Sequence, residues 1–221
     1  MIERYAAVVC DWSLEVGSGT RLLVDGDLEA KALASAVAAH AWRAGATVSV
    51  NLHPGWSAAL ADVGEIEGSF DAICEIVEAV PAVGDAAERV PRVRCLWPTA
   101  RAAQSEGVGT LQLVASVFSR CLLDRPDPIA AWREVAARNA RAIARLERAE
   151  RLTAGAAELA IAGVGWVGEA GRTLLPGASV SAMLGGRQLV LGTHGSAVVA
   201  SLDGSPLAGP LALDDIEVAG W

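Results

Sequence analysis

The sequence predicts an α/β protein: an open, mostly parallel sheet with flanking helices, followed by a small antiparallel β region. Three observations predict it. Within the first hundred residues, short runs rich in Val, Leu and Ile alternate with a helical stripe, the order that builds strand-helix-strand units. Residues 105–151 then carry two helical patterns separated by a proline-rich turn. After Thr153, short strand-like runs are separated by Gly, Pro and Asp, the texture of antiparallel strands. Apolar residues make up 52% of the 221-residue chain, ample to bury a core.

The elements follow in order. Residues 20–25, TRLLVD, form the first predicted strand, closed by Gly26. Asp27 reads as a helix N-cap with Glu29 in the first turn, and Leu33, Val37, Ala41 and Ala44 supply the inward stripe until Gly45 stops the helix. Residues 46–52, ATVSVNL, are β-rich and complete a unit whose crossover is expected to be right-handed. Residues 72–80 and 92–97 are the third and fourth candidate strands. A helical pattern covers Ser105 to Leu123, and in the rigid turn that follows Asp127 caps the next helix with Pro128 at its first position. That helix is expected to run to about Arg151, burying Trp132, Val135, Ala136, Ile143 and Leu146. Its Arg138, Arg141, Arg145 and Arg148 read as a solvated face partly paired with Glu134, Glu147 and Glu150, with an acidic partner as the alternative. The runs ELAIAGVGWV, SVSAML, RQLVLG, SAVVASL and IEVAGW compose the β region, so domains are expected at 1–152 and 153–221.

Composition narrows the partners. A net charge of −8 repels nucleic-acid phosphates. No apolar run of about 18 residues is present to span a bilayer, and the acidic N-terminus does not read as a signal peptide. The expected compartment is therefore the cytoplasm, with neither nucleic acid nor membrane as a partner. Cys10, Cys74, Cys95 and Cys121 are widely spaced among apolar neighbours and read as buried free thiols, in preference to a disulfide or a zinc site.

From Trp97 to Glu134 the signals fall in a recognisable order: Pro98, Thr99, Ala103 and Gly107, an apolar helix, Asp124, Asp127 and Pro128, then Trp132, Arg133 and Glu134. This segment resembles the N-terminal half of the aminopeptidase T family of metallopeptidases. The opening stretch, with its Val16 and Gly19, and GPLALDDIEV near the end are also similar to family segments. The resemblance implies an α/β scaffold, and a metal pair held by two Glu, two His, a Tyr and an Asp in a C-terminal domain. The segment Met183–Thr193 is the best match to the one carrying the family's first ligand, and there Arg187 and Gln188 stand in place of the expected acidic pair. A guanidinium cannot ligate a divalent cation, and an amide is a weak substitute for a carboxylate. The remaining ligands would fall beyond Trp221. The expectation is a truncated relative without the metal site and without metallopeptidase activity.

Other chemistry must use the residues that remain. His40, His53 and His194 are the only histidines. His40 reads as half-buried packing, whereas His53 follows the second strand, where ligands of open α/β sheets gather. Asp25 and Asp27 end the neighbouring strand, so an Asp25 and His53 acid–base dyad is the candidate catalytic pair. The simpler alternative is a helix cap at Asp27 and a solvated turn at His53. Glu75 and Glu78 fall on opposite faces of their strand and do not read as a pair. Trp56, Arg187 and His194 are the candidate substrate-binding residues. No phosphate loop, serine elbow or zinc-hydrolase motif is present, and no metal or cofactor is expected. The expected function is a metal-independent small-molecule enzyme of a cyclase, isomerase or hydrolase type in a specialised biosynthetic pathway, acting on a small-molecule ligand as a homo-oligomer. The alternatives are a noncatalytic accessory or dimerising protein and a residual metal-dependent aminopeptidase.

Overall fold

The computed structural model describes residues 1–55, 67–79, 90–154, 156–194, 197–207, 211–213 and 216–217, with the backbone alone at 67, 193, 194, 197–199, 211, 213, 216 and 217. Two compact units emerge, one of residues 1–132 and 171–177 and the other of residues 133–170 and 178–221.

The first unit is built on a parallel sheet. Strands β1 (Arg21–Asp27), β2 (Thr47–His53), β3 (Ala72–Val77), β4 (Arg92–Leu96) and β8 (Leu174–Leu175) lie in the order β2-β1-β3-β4-β8, every neighbouring pair parallel. β1 sits between two neighbours and is buried along almost its whole length, hence its unbroken apolar run. Gly26 interrupts that run for a steric reason: a Cβ there would lie 3.1 Å from the Cβ of Ile76 on β3. Helix α1 (Ile2–Ala7), which continues as a π-helical turn over Val8–Ser13, and helix α2 (Lys31–Arg43) pack against each other. Leu33, Val37 and Ala41 of α2 are buried as the stripe predicts, while Ala44 caps the helix and is exposed. Beneath these helices the sheet presents Leu22, Val24, Cys74, Val93 and Cys95, all fully buried.

Of the helical pattern expected from Ser105 to Leu123 the structure forms α4 (Thr110–Arg120), and a short helix that the pattern did not include, α3 (Ala100–Ser105), precedes it; Gly107 adopts a left-handed conformation (φ +69°) between the two. Thr99 caps α3 by accepting from the Ala102 amide at 3.0 Å. Helix α5 (Pro128–Leu146) is capped by Asp127, which accepts from the Ala130 amide at 2.9 Å. The Trp132 indole is fully buried and donates to the Cys121 carbonyl at 3.1 Å. Thus the segment that carries the resemblance supplies caps and packing. α5 stops at Leu146 and not near Arg151, because Leu152 and Ala154 bury on alternate positions of a strand, β5 (Arg151–Ala154). Leu174 and Leu175 also leave the predicted antiparallel texture to join the parallel sheet.

The second unit holds antiparallel strands. β7 (Trp166–Ala170), β9 (Ala178–Leu184), β10 (Arg187–His194), β11 (Ala197–Leu202) and β12 (Ser205–Leu207) form one sheet in the order β12-β11-β10-β9-β7. β5, β6 (Ala157–Ala160), β13 (Leu211–Leu213) and β14 (Ile216–Glu217) form another. Leu146, Leu152, Ile161, Val180, Leu189 and Leu191 make its core. Asn139 on α5 bridges β7 and β9 through its amide, donating to the carbonyls of Glu169 at 2.6 Å and Ser179 at 3.1 Å. Among the described residues no helix is long and apolar enough to cross a membrane.

Candidate functional site

The strand order reverses direction at β1: the chain steps to β2 on one side and returns to β3 on the other. In open α/β sheets the crevice for a ligand lies at such a switch point, outside the carboxyl ends of the strands. The residues there come in pairs two apart on each strand, so each pair shares a face. β1 brings Asp25 and Asp27, and β2 brings Asn51 and His53 in direct register with them.

The two aspartates are both buried yet differently employed. Asp27 is occupied by backbone, accepting from the Glu29 amide at 2.7 Å and from the Gly55 amide. Asp25 faces side chains. Its Oδ1 accepts from Asn51 Nδ2 at 2.6 Å, and its Oδ2 lies 3.5 Å from His53 Nε2. The His53 Nδ1 donates to the Gly55 carbonyl at 3.1 Å. The Asp25 side chain is 4% exposed and that of His53 17%, so the imidazole stands between a buried carboxylate and solvent.

Register carries the polar row further across the sheet, since Asp25 pairs with Glu75 on β3 and Glu75 with Arg94 on β4. Glu75 lies 3.2 Å from Arg92 Nη1 and 3.0 Å from Arg94 Nε. Burial pushes its carboxyl above the usual range; the two guanidiniums oppose that rise and the Asp25 charge adds to it. Glu78 takes a separate course, binding Thr99 and Arg101, and the Arg101 hydrogen bond holds its carboxyl low.

The structure thus brings Asp25 and His53 together. Asn51 was not among the residues singled out from sequence; the signal was its spacing of two from His53, mirroring Asp25 and Asp27. His40 is half-buried and bonds Asp11 at 2.9 Å. Arg187 and His194 belong to the second unit. Arg187 Nε lies 2.8 Å from Asp203 Oδ2, and the backbone N–H of Gln188 donates to the same carboxylate at 2.7 Å. The backbone of His194 pairs with Ala197 in the β10–β11 hairpin. Trp56 lies outside the described residues.

Among the described residues no group of three or more His, Cys, Asp or Glu is placed to hold a metal ion. The donor set at Arg187 and Gln188 is a cation and an amide, the former engaged by Asp203. These residues do not fit the metal pair that the resemblance to aminopeptidase T implies.

A scan against protein-family models finds no match, and a search of curated proteins finds none. A solved structure does match: wild-type AmpT from Thermus thermophilus, with a TM-score of 0.56 and 16% identity over 90% of this chain and 71% of that one. The chain shares the fold of AmpT. At this identity the likeness establishes architecture, and AmpT is the aminopeptidase T to which the sequence segment from Trp97 to Glu134 pointed.

Proposed function

We propose that the chain is an AmpT-like scaffold that performs acid–base chemistry on a small molecule without a metal, as a cyclase, isomerase or hydrolase in a biosynthetic pathway. The observation that carries this reading is the Asn51–Asp25–His53 arrangement at the carboxyl ends of β1 and β2. Asn51 fixes the carboxylate rotamer, and Asp25 backs the imidazole at Nε2. Nδ1, hydrogen-bonded to an exposed turn carbonyl, is the nitrogen a substrate reaches. In this reading His53 is the proton donor: the Asp25 carboxylate stabilises the imidazolium, whose two N–H groups face Asp25 and the Gly55 carbonyl, and a substrate that takes the place of that carbonyl receives the Nδ1 proton, leaving the neutral ring with its Nε2 proton toward Asp25. The apolar groove of about 520 Å³ beside Trp97, Pro98, Val114 and Phe118 offers almost no polar lining and suits no such role.

The test uses purified protein with 4-nitrophenyl acetate as the first probe, assayed with and without a chelator. Turnover is expected to survive chelation and to fall about 10²–10⁴-fold in His53→Ala, the usual contribution of a general acid or base. Turnover unchanged by His53→Ala would remove the proposed site. Residual aminopeptidase chemistry, the reading that AmpT's relatedness keeps open, predicts instead that an amino-acid 4-nitroanilide is cleaved and that the chelator abolishes cleavage.

A further inference from the structure

β2 ends the parallel sheet, and among the described residues its outer edge pairs with no strand. Every one of its residues is exposed or half-buried, whereas β1 beside it is almost wholly buried. Open edges are normally blunted by proline, by lysine or by charges that repel a neighbour. The seven residues Thr47–His53 contain no proline, no lysine and no carboxylate. In a chain of net charge −8, this edge is a place where two copies can approach without setting acid against acid.

The flank of the edge is apolar. Val50 is 47% exposed and Trp42 75%. On α2, His40 bonds Asp11 and Arg43 pairs with Glu3, which fixes the side of the helix that faces α1. Trp42 is two residues from His40, about 200° around the helix axis. Trp42 therefore leaves the helix on the flank opposite α1. Val50 pairs in register with Val24 and shares its sheet face, the same face that α2 covers.

The strand is also complementary to itself. Turned antiparallel about Val50, it sets Val48 opposite Leu52 and Val50 opposite its own copy on one face. On the other face Ser49 meets Asn51 and Thr47 meets His53. Apolar residues meet apolar ones and polar residues meet polar ones, the condition a two-fold interface must satisfy. We infer that two copies of this chain associate through β2, in an antiparallel two-fold pairing centred on Val50 that joins the two parallel sheets edge to edge. The inference rests on the edge of β2 and does not depend on the acid–base reading of His53.

Sedimentation velocity on the full chain across the micromolar range is expected to show a dimer. Val50→Lys, which places two ammonium groups face to face across the axis, should give a monomer with an unchanged circular dichroism spectrum. Val50→Cys, treated with copper-phenanthroline, should form a covalent dimer on a non-reducing gel, because residue 50 opposes itself at strand-pair distance. Ser49→Cys should not, because residue 49 opposes residue 51 and its own copy lies too far away. A wild-type monomer, a dimer that survives Val50→Lys, or equal cross-linking by both cysteine variants would each overturn the pairing. Loss of turnover in His53→Ala with the dimer intact separates this inference from the catalytic one.

Discussion

Asp25 and Asp27 stand two residues apart on one strand face, both buried, and their hydrogen bonds divide the work between them. Asp27 is saturated by the Glu29 and Gly55 amides, so Asp27→Ala should cost about 0.5–2 kcal/mol in stability, the worth of a helix cap, as read by chemical denaturation. Asp71 gives a pH signature at the start of β1. The Arg21 guanidinium and backbone hold its carboxyl down to about 2, against an ordinary value of 3.8. A depressed carboxylate stabilises the fold above its unfolded pKa and loses that contribution as pH falls through the folded one. The melting temperature of Asp71→Asn should therefore lie below that of wild type at neutral pH, and the gap should close between pH 3.8 and about 2. Cysteine chemistry is settled by burial. It pushes Cys10 and Cys121 up to about 12 and raises Cys95 strongly, with the Cys74 sulfur 3.8 Å from Cys95. Native protein should leave Ellman's reagent uncoloured, and unfolded protein should release four equivalents.

Each element carries its own limit on what a sequence can reveal. Gly171 has φ +71°, and a Cβ there would lie 2.8 Å from Leu175 Cδ2 and 3.1 Å from the Trp132 ring. Gly171→Ala should cost about 1–3 kcal/mol from overpacking, with backbone strain added, measured by urea unfolding. β1 to β4 were legible because each is an apolar or β-branched run bounded by turn residues. β8 was not, because two leucines between Thr173 and Pro176 have no period to read. The end of α5 was hidden for the opposite reason: Ala142, Leu146 and Ala149 continue a helical stripe past the point where the chain turns. Asn139→Ala should likewise cost about 1–3 kcal/mol, since it removes two hydrogen bonds to the half-buried carbonyls of Glu169 and Ser179. The candidate dyad was legible because Asp25 and His53 end neighbouring strands. The bond from Asn51 to Asp25 and the Glu75–Arg94 step were not, because they arise from the register between strands, which no single strand encodes.

At the scale of the whole molecule, charge and fold act on association in opposite directions. Each copy carries −8, so bringing two together sets like fields against each other. Added salt screens that repulsion, and the dimer dissociation constant should fall between about 0.01 and 0.15 M salt, where the Debye length shrinks from about 30 to 8 Å. The reverse trend would mean that attraction between opposite charges holds the copies together. The likeness to AmpT across 90% of the chain coexists with only 16% identity, so what the two share is the placement of strands and helices. The site residues of this chain must be read on their own terms. The four thiols have one more consequence. All of them are enclosed, so a cysteine introduced at an exposed position such as Leu111 would be the one thiol a maleimide encounters. Fluorophores or spin labels can then be installed at a chosen residue of the native protein without first stripping it of its own sulfur.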